Sequence, residues 1–252
     1  MIKIYTTNYI NALPFIHGIK NSPYLKNIRY ELILTTPYEC AVSYFKNKAN
    51  FVLLPSGATS SLVKNFLPFG IVAQKNVDSV LLLSNCNISD IELVFLDSES
   101  ITSKKLLKIL LEKLYGKKNI IYVEKKINTI NKLDLKTKEA ILMIGDKAIL
   151  NREKYTYSFD LAELWYKMTN KPFVFAYWVE INVDNKNIKD SFVKALFWGI
   201  ENKFDIYSTL NISLSKDFLK EYLGSKIKYL ISSEEFYGLK LFYKYMSLSS
   251  GF

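Results

Sequence analysis

Histidine occurs once and arginine twice in the 252 residues. With His17 alone, histidine zinc sites and most Ser-His or Cys-His triads are excluded. Arg29 and Arg152 are the two arginines, so nearly all of the formal charge of +10 comes from lysine. Lysine is a point charge without the planar fork that reads bases and phosphates bidentately. The lysines are also scattered among Asn, Ile and Tyr rather than gathered in a stripe. No nucleic-acid partner is expected, although a positive field favours capture of a small anion.

Cysteine is scarce as well. Cys40 and Cys86 have no metal-ligand spacing and read as free thiols of a reducing compartment. The longest apolar runs, such as Val80–Leu83 and Phe173–Val179, fall far short of the ~18–20 residues of a membrane span. No glycine fingerprint for dinucleotides and no P-loop is present. The amino terminus enters a strand at once, with no basic segment leading into an apolar one and a cleavage site. A cytoplasmic protein without a membrane span is expected.

What is present is apolar and aromatic: 49% of residues are hydrophobic and 15% are Phe, Trp or Tyr. That supports a large core and argues against disorder. Strand patterns fall at Ile2–Thr6, Tyr30–Leu34, Phe51–Leu54, Val80–Ser84, Leu93–Leu96, Ile120–Val123 and Ile141–Ile144. Helical patterns fall at Pro37–Lys46, Thr102–Tyr115, Asp160–Met168, Lys189–Asn202, Lys216–Leu223 and Glu234–Ser247. The alternation predicts an α/β protein with largely parallel sheets and two lobes. Lobe 1 is expected over 1–82 plus 178–252, and lobe 2 over 83–177.

Ligands of open α/β sheets lie beyond the carboxyl ends of strands, so the loops there are the candidates. Asn11, after the first strand, can present an amide to a ligand or cap a short helix. Leu54-Pro-Ser56-Gly57 is a tight turn in which Ser56 can meet a small ligand, or serve as an ordinary Ser-Gly turn. Ser79 opens an apolar strand and can bond either a ligand or the backbone. Ser100, Thr102 and Ser103 crowd the start of the Thr102–Tyr115 helix, more hydroxyls than one cap needs, where free N–H groups suit a carboxylate or phosphate. Gly145 would let backbone approach a ligand, with Asp146 capping the next helix.

The segment Asp160 to Trp178 is the most distinctive. Leu161, Leu164, Trp165 and Met168 share one helical side, Pro172 blocks continuation, and a dense aromatic strand follows from Phe173. Read alone, it is a core helix against a core strand.

In order, these stretches resemble the chorismate dehydratases of the futalosine route to menaquinone. Asn8-Tyr-Ile-Asn-Ala-Leu-Pro-Phe15 is similar to that family's Tyr-Leu-Asn-Ala-Leu-Pro motif. Asp78-Ser-Val-Leu-Leu-Leu-Ser84 resembles its Ser-Val strand. Leu96-Asp through Thr102-Ser103 resembles its Asp-x-x-Ser-x-Thr-Ser helix start, and Ile144-Gly-Asp-Lys-Ala148 its Gly-Asp turn. Asp160-Leu-Ala-Glu-Leu-Trp165 with Thr169-Asn-Lys-Pro-Phe-Val-Phe-Ala176 resembles its Asp-Leu-Gly-Glu-x-Trp and Thr-Gly-x-Pro-Phe-Val-Phe-Ala. The five motifs cover roughly residues 1–180.

The resemblance implies a two-lobed fold like the type II periplasmic binding proteins, with a ligand cleft between the lobes. It implies loss of water from chorismate to give 3-[(1-carboxyvinyl)oxy]benzoate without cofactor or metal. Asn11 and Ser79 would then serve the reacting end of the substrate, and Ser100, Thr102 and Ser103 a carboxylate. Ser56, Gly145, Asp146 and Glu163 complete the expected binding set. No matched position offers a general base, so a substrate carboxylate is the expected proton acceptor. Departures from the pattern are Lys75-Asn76 where the family has a Gly-Pro-like turn, Ile101 where it has arginine, and Ala162 and Asn170 where it has glycine.

Two other readings stay open. One is a non-catalytic binding module on the same scaffold, which would ordinarily bring an export signal, lipid anchor or regulatory segment. The other is the later naphthoate-forming lyase of the same pathway, whose Cys-Pro-Asn-Asp-type motif is missing here.

Overall fold

A computed structural model describes residues 1–126, 135–208 and 214–248. The strands in chain order are β1 (Ile2–Thr7), β2 (Tyr30–Thr35), β3 (Phe51–Pro55), β4 (Phe66–Ala73), β5 (Val80–Ser84), β6 (Leu93–Asp97), β7 (Ile121–Lys125), β8 (Glu139–Ile144), β9 (Tyr157–Asp160), β10 (Phe173–Glu180) and β11 (Ile227–Leu230). The helices are α1 (Leu13–Asn21), α2 (Pro37–Phe45), α3 (Thr102–Tyr115), α4 (Asp146–Asn151), α5 (Leu161–Thr169), α6 (Lys186–Glu201), α7 (Lys216–Glu221) and α8 (Ser233–Leu248).

Two sheets form, in the orders β11-β4-β10-β3-β1-β2 and β7-β6-β8-β5-β9. The chain changes sheet between β4 and β5 and returns between β9 and β10. The expected junctions after residues 82 and 177 therefore each fall inside a strand. Sheet membership places the crossovers at residues 74–79 and 161–172 instead.

The sheets are mixed rather than largely parallel. β1 pairs in parallel with β2 and β3, and β6 with β7 and β8. β10 runs antiparallel to both its neighbours, β3 and β4, while β5 runs antiparallel to β8 and β9. A strand that returns from the other sheet re-enters from the opposite end, and an apolar run does not encode that direction.

β10 is the centre of the first sheet. Phe173, Val174, Phe175, Tyr177, Trp178 and Val179 are all buried because both of its edges and both of its faces are covered. Trp165 of α5 meets Phe173 and Phe242 edge-on, and Trp178 meets Phe15 and Phe192 in the same way. The core-on-core pattern of this segment is thus what the structure contains. α5 ends because Asn170 takes a left-handed conformation (φ 52°) and its N–H bonds the Tyr166 carbonyl at 2.7 Å. Asparagine enters that region more readily than most residues, which suits it to a position where the resembling family's pattern has glycine.

One buried carboxylate fastens both crossovers. Asp160 Oδ2 accepts the N–H groups of Val77 (2.8 Å) and Asp78 (2.6 Å). Its Oδ1 caps α5 by accepting from Ala162 (2.9 Å) and Glu163 (3.2 Å). Asp78 itself is left-handed (φ 58°) and ion-paired with Lys226, with Arg152 also near at 3.9 Å. The outgoing and returning chains are locked at one point.

Candidate active site

A cleft opens where the carboxyl ends of β1, β3 and β8 face the start of α3. It encloses about 540 Å³, counting its open mouth. Apolar walls come from Leu53, Ile71, Val80, Ile144 and Phe175, and polar groups from Thr7, Tyr9, Asn11, Ser100, Thr102 and Ser103. An apolar pocket with a few convergent polar groups is the usual form of a small-molecule site. Among the described residues, no Lys, Arg, His, Asp or Glu lines it.

Asn11 stands in a 3₁₀ turn (Ile10–Ala12) between β1 and α1. It caps no helix, since neither that turn nor α1 has a side-chain cap, so its amide is left for the cleft. Ser100 lines the cleft with a buried hydroxyl that has no hydrogen-bond partner. Ser103 lines it too. The 14-residue helix α3 has no side-chain cap, its N-cap position being Ile101. Its first N–H groups and the positive end of its dipole therefore stay available at the cleft. Ile101 also lines the cleft, putting an apolar side chain where the resembling family has arginine.

Thr102 works between the lobes. Its hydroxyl donates to the Phe175 carbonyl of β10 and accepts from Gly57 N–H, both at 3.0 Å. A Cβ on Gly57 would lie 2.8 Å from Thr102 Cα, so only glycine lets the Ser56–Ala58 turn come this close. Gly57→Ala is expected to push α3 back, costing about 1–3 kcal/mol in urea unfolding. A variant as stable as the parent would mean that α3 is not seated by this contact.

The remaining expected residues divide. Gly145 lines the cleft in a conformation only glycine adopts readily (φ 64°), with the Tyr9 ring packed where its Cβ would be. Asp146 starts α4, whose N-cap position is Gly145 rather than Asp146. Behind the wall, its Oδ1 accepts the Ile10 N–H at 3.0 Å and so ties the Asn11 turn to β8. Ser56 is fully buried and spends its hydroxyl on the carbonyls of Val174 (2.6 Å) and Phe175 (3.2 Å), outside the cleft lining. Glu163 is exposed on α5 and does not line the cleft. Ser79 lies just beneath the wall, its carbonyl accepting from Gly145 N–H at 2.7 Å and its Oγ accepting from the Tyr222 hydroxyl at 2.7 Å.

Tyr9 and Tyr222 were not singled out from sequence. Burial, then the nearby Asp97, Glu99 and Asp146, push the Tyr9 phenol up, so it enters the cleft as a neutral donor. Burial also pushes Asp97 up, against the Glu99 N–H that its carboxylate accepts at 3.1 Å. Tyr9 lies inside the Asn8–Phe15 motif, whereas Tyr222 lies in the expected Lys216–Leu223 helix, beyond the motifs that carry the resemblance. His17, the lone histidine, stacks on Trp198 and bonds Asn21 at 2.9 Å, and it does not line the cleft.

Solved structures share the architecture. Protein AF1704 from Archaeoglobus fulgidus superposes with a TM-score of 0.79 at 15% identity, covering 98% of this chain and 97% of that one. The CA3427 gene product of Candida albicans, described as having the generic periplasmic binding protein fold, gives 0.68 at 12% identity over 100% and 92%. The ligand-binding component of an ABC-type import system from Staphylococcus aureus gives 0.65 at 12% identity over 98% and 92%. At such identities the likeness establishes the fold, which is that of the periplasmic binding proteins. The chain matches none of the curated proteins significantly. No described helix is long and apolar enough to cross a membrane. A family model described as menaquinone biosynthesis matches residues 2–247. With nearly its whole length matched, the chain belongs to the menaquinone biosynthesis family and is an enzyme of that synthesis.

Proposed function

We propose that this family member is a chorismate dehydratase, which removes water from chorismate to give 3-[(1-carboxyvinyl)oxy]benzoate without a cofactor. The observation that carries the reading is the pairing, in one cleft, of the Asn11 amide with an uncapped α3 N-terminus and the unpartnered Ser100 hydroxyl.

The chemistry asks little of the protein beyond orientation and charge stabilisation. One ring carbon loses a proton, its neighbour loses hydroxide, and the cyclohexadiene gains its third double bond. Aromaticity supplies the drive. As the proton leaves, the conjugated ring carboxylate takes on enediolate character, and a donor aimed at it stabilises that state more than the ground state. Asn11 is the donor we assign to it, with Ser79 serving the same end of the substrate. The α3 N-terminus with Ser100 and Ser103 would hold a carboxylate by charge and N–H donation. The proton goes to a substrate carboxylate, a role supported by a cleft wall free of basic side chains among the described residues. The apolar walls exclude water and strengthen each of these interactions.

A cytoplasmic reaction is our reading, supported by the free thiols Cys40 and Cys86. Chorismate incubated with purified protein and separated by chromatography is expected to yield the carboxyvinyloxy-benzoate. Tight binding of unchanged chorismate would favour a non-catalytic receptor instead. Neither binding nor turnover would point to another substrate.

A further inference from the structure

Ser79 and Asn11 share a neighbour from a distant part of the chain. Tyr222 is buried, donates to Ser79 Oγ at 2.7 Å, and lies beside the Asn11 side chain. It begins a single π-helical turn, Tyr222–Lys226, that continues α7. Such turns shift the helical register and are frequent at functional sites. This one is fixed at both ends. The Phe218 ring stacks on Tyr222 one turn earlier (5.7 Å, 11°), and Lys226 pairs with Asp78, the neighbour of Ser79. Asp78 is in turn held by Asp160.

We propose that Tyr222 is a positioning residue that sets the direction of the Ser79 hydroxyl and the Asn11 amide; the inference rests on the dehydratase reading. The argument is one of hydrogen inventory. Ser79 Oγ accepts from Tyr222, and among the described residues nothing accepts the hydrogen of Ser79 in return. That hydrogen is unspent, on a hydroxyl buried just beneath the Gly145 wall of the cleft. Asn11 lines the cleft with the phenol beside its amide, which limits how that amide can turn. Chained hydrogen bonds polarise one another, so the phenol also strengthens Ser79 as a donor. Complete burial pushes the Tyr222 phenol well above its ordinary range. It therefore keeps its proton and orients its neighbours rather than relaying a proton.

The test is a kinetic cycle on chorismate with Tyr222→Phe, Ser79→Ala and the double variant, each checked for folding by circular dichroism. Tyr222→Phe is expected to lower kcat by about tenfold to a hundredfold, the scale of a misaimed catalytic group, while KM moves less than about threefold. In the Ser79→Ala background the same change should cost much less, because its main target is gone. A kcat within about twofold of the parent, or an equal loss in both backgrounds, overturns the proposal while leaving the dehydratase reading in place. Absence of turnover by the parent protein overturns both. Should Tyr222→Phe fail to fold, 3-fluorotyrosine at position 222 keeps the ring and hydroxyl and makes the phenol a stronger donor. A raised kcat then supports the proposal, and an unmoved kcat overturns it.

Discussion

Asn11→Asp is expected to slow chorismate turnover by about a hundredfold to a thousandfold, the usual cost of removing an oxyanion donor. The replacement keeps the shape of the side chain but exchanges an N–H donor for a negative charge. Asn11 lines a cleft whose walls hold no cation among the described residues, so no side chain there offsets that charge. The new carboxylate would face the substrate carboxylate whose electron density rises during proton loss. Binding should weaken as well, raising KM, but the larger effect belongs in kcat because the repulsion grows towards the transition state. The local fold should survive: Ile10 N–H stays on Asp146, and Asn11 caps no helix. Steady-state kinetics with chorismate measures the effect, and unchanged constants would remove Asn11 from the mechanism.

The second large effect is structural. Asp160→Ala is expected to destabilise the protein by about 3–5 kcal/mol, because four backbone N–H groups lose their acceptor together. Two of them, on Ala162 and Glu163, belong to the α5 cap, whose loss alone typically costs about 1 kcal/mol. The other two, on Val77 and Asp78, lie in the outgoing crossover, and leaving a buried donor unmet costs about 1–3 kcal/mol each. Asp160→Asn keeps an acceptor oxygen for one pair of donors and should lose less. Urea unfolding monitored by tryptophan fluorescence is well suited, since Trp165 of the capped helix is buried. A loss below about 1 kcal/mol for Asp160→Ala would show that the crossovers are held by packing rather than by this carboxylate.

Asp160 also shows what could be read in the chain and what could not. Its helix and aromatic strand were legible because Leu161, Leu164 and Trp165 recur at helical spacing and Phe173–Val179 is continuously apolar. The grip of its carboxylate on Val77 and Asp78, more than eighty residues earlier, left no local trace. The strands that sequence patterns missed are those with weak signals. β4 contains Pro68 and Gly70, which interrupt an apolar run, and β9 and β11 are four residues each.

The cleft was legible to the same degree. Hydroxyls at the start of α3 stood out by number, and Ser100 and Ser103 do line the cleft. Ser56 faces β10 instead, because that strand's antiparallel return puts two carbonyls over it. Glu163 faces outward, as the buried positions Leu161, Leu164 and Trp165 on the same helix require. Tyr222 fell within a predicted helix, but its reach to Ser79, far earlier in the chain, left no local trace.

Ile101, where the resembling family's pattern has arginine, now has a physical setting. Ile101 occupies the N-cap position of α3 without capping it, leaving the helix end itself as the positive element of the cleft. A partial charge of about half a unit, with N–H groups already aimed, can take over part of an arginine's work on a carboxylate.

The most direct measurement incubates chorismate with the parent protein and with Asn11→Asp, and follows product mass and aromatic absorbance together. The expected result is a product lighter than chorismate by one water, with an aromatic ring, formed by the parent and nearly lost in the variant. Unchanged chorismate after long incubation with folded parent protein would contradict the dehydratase account.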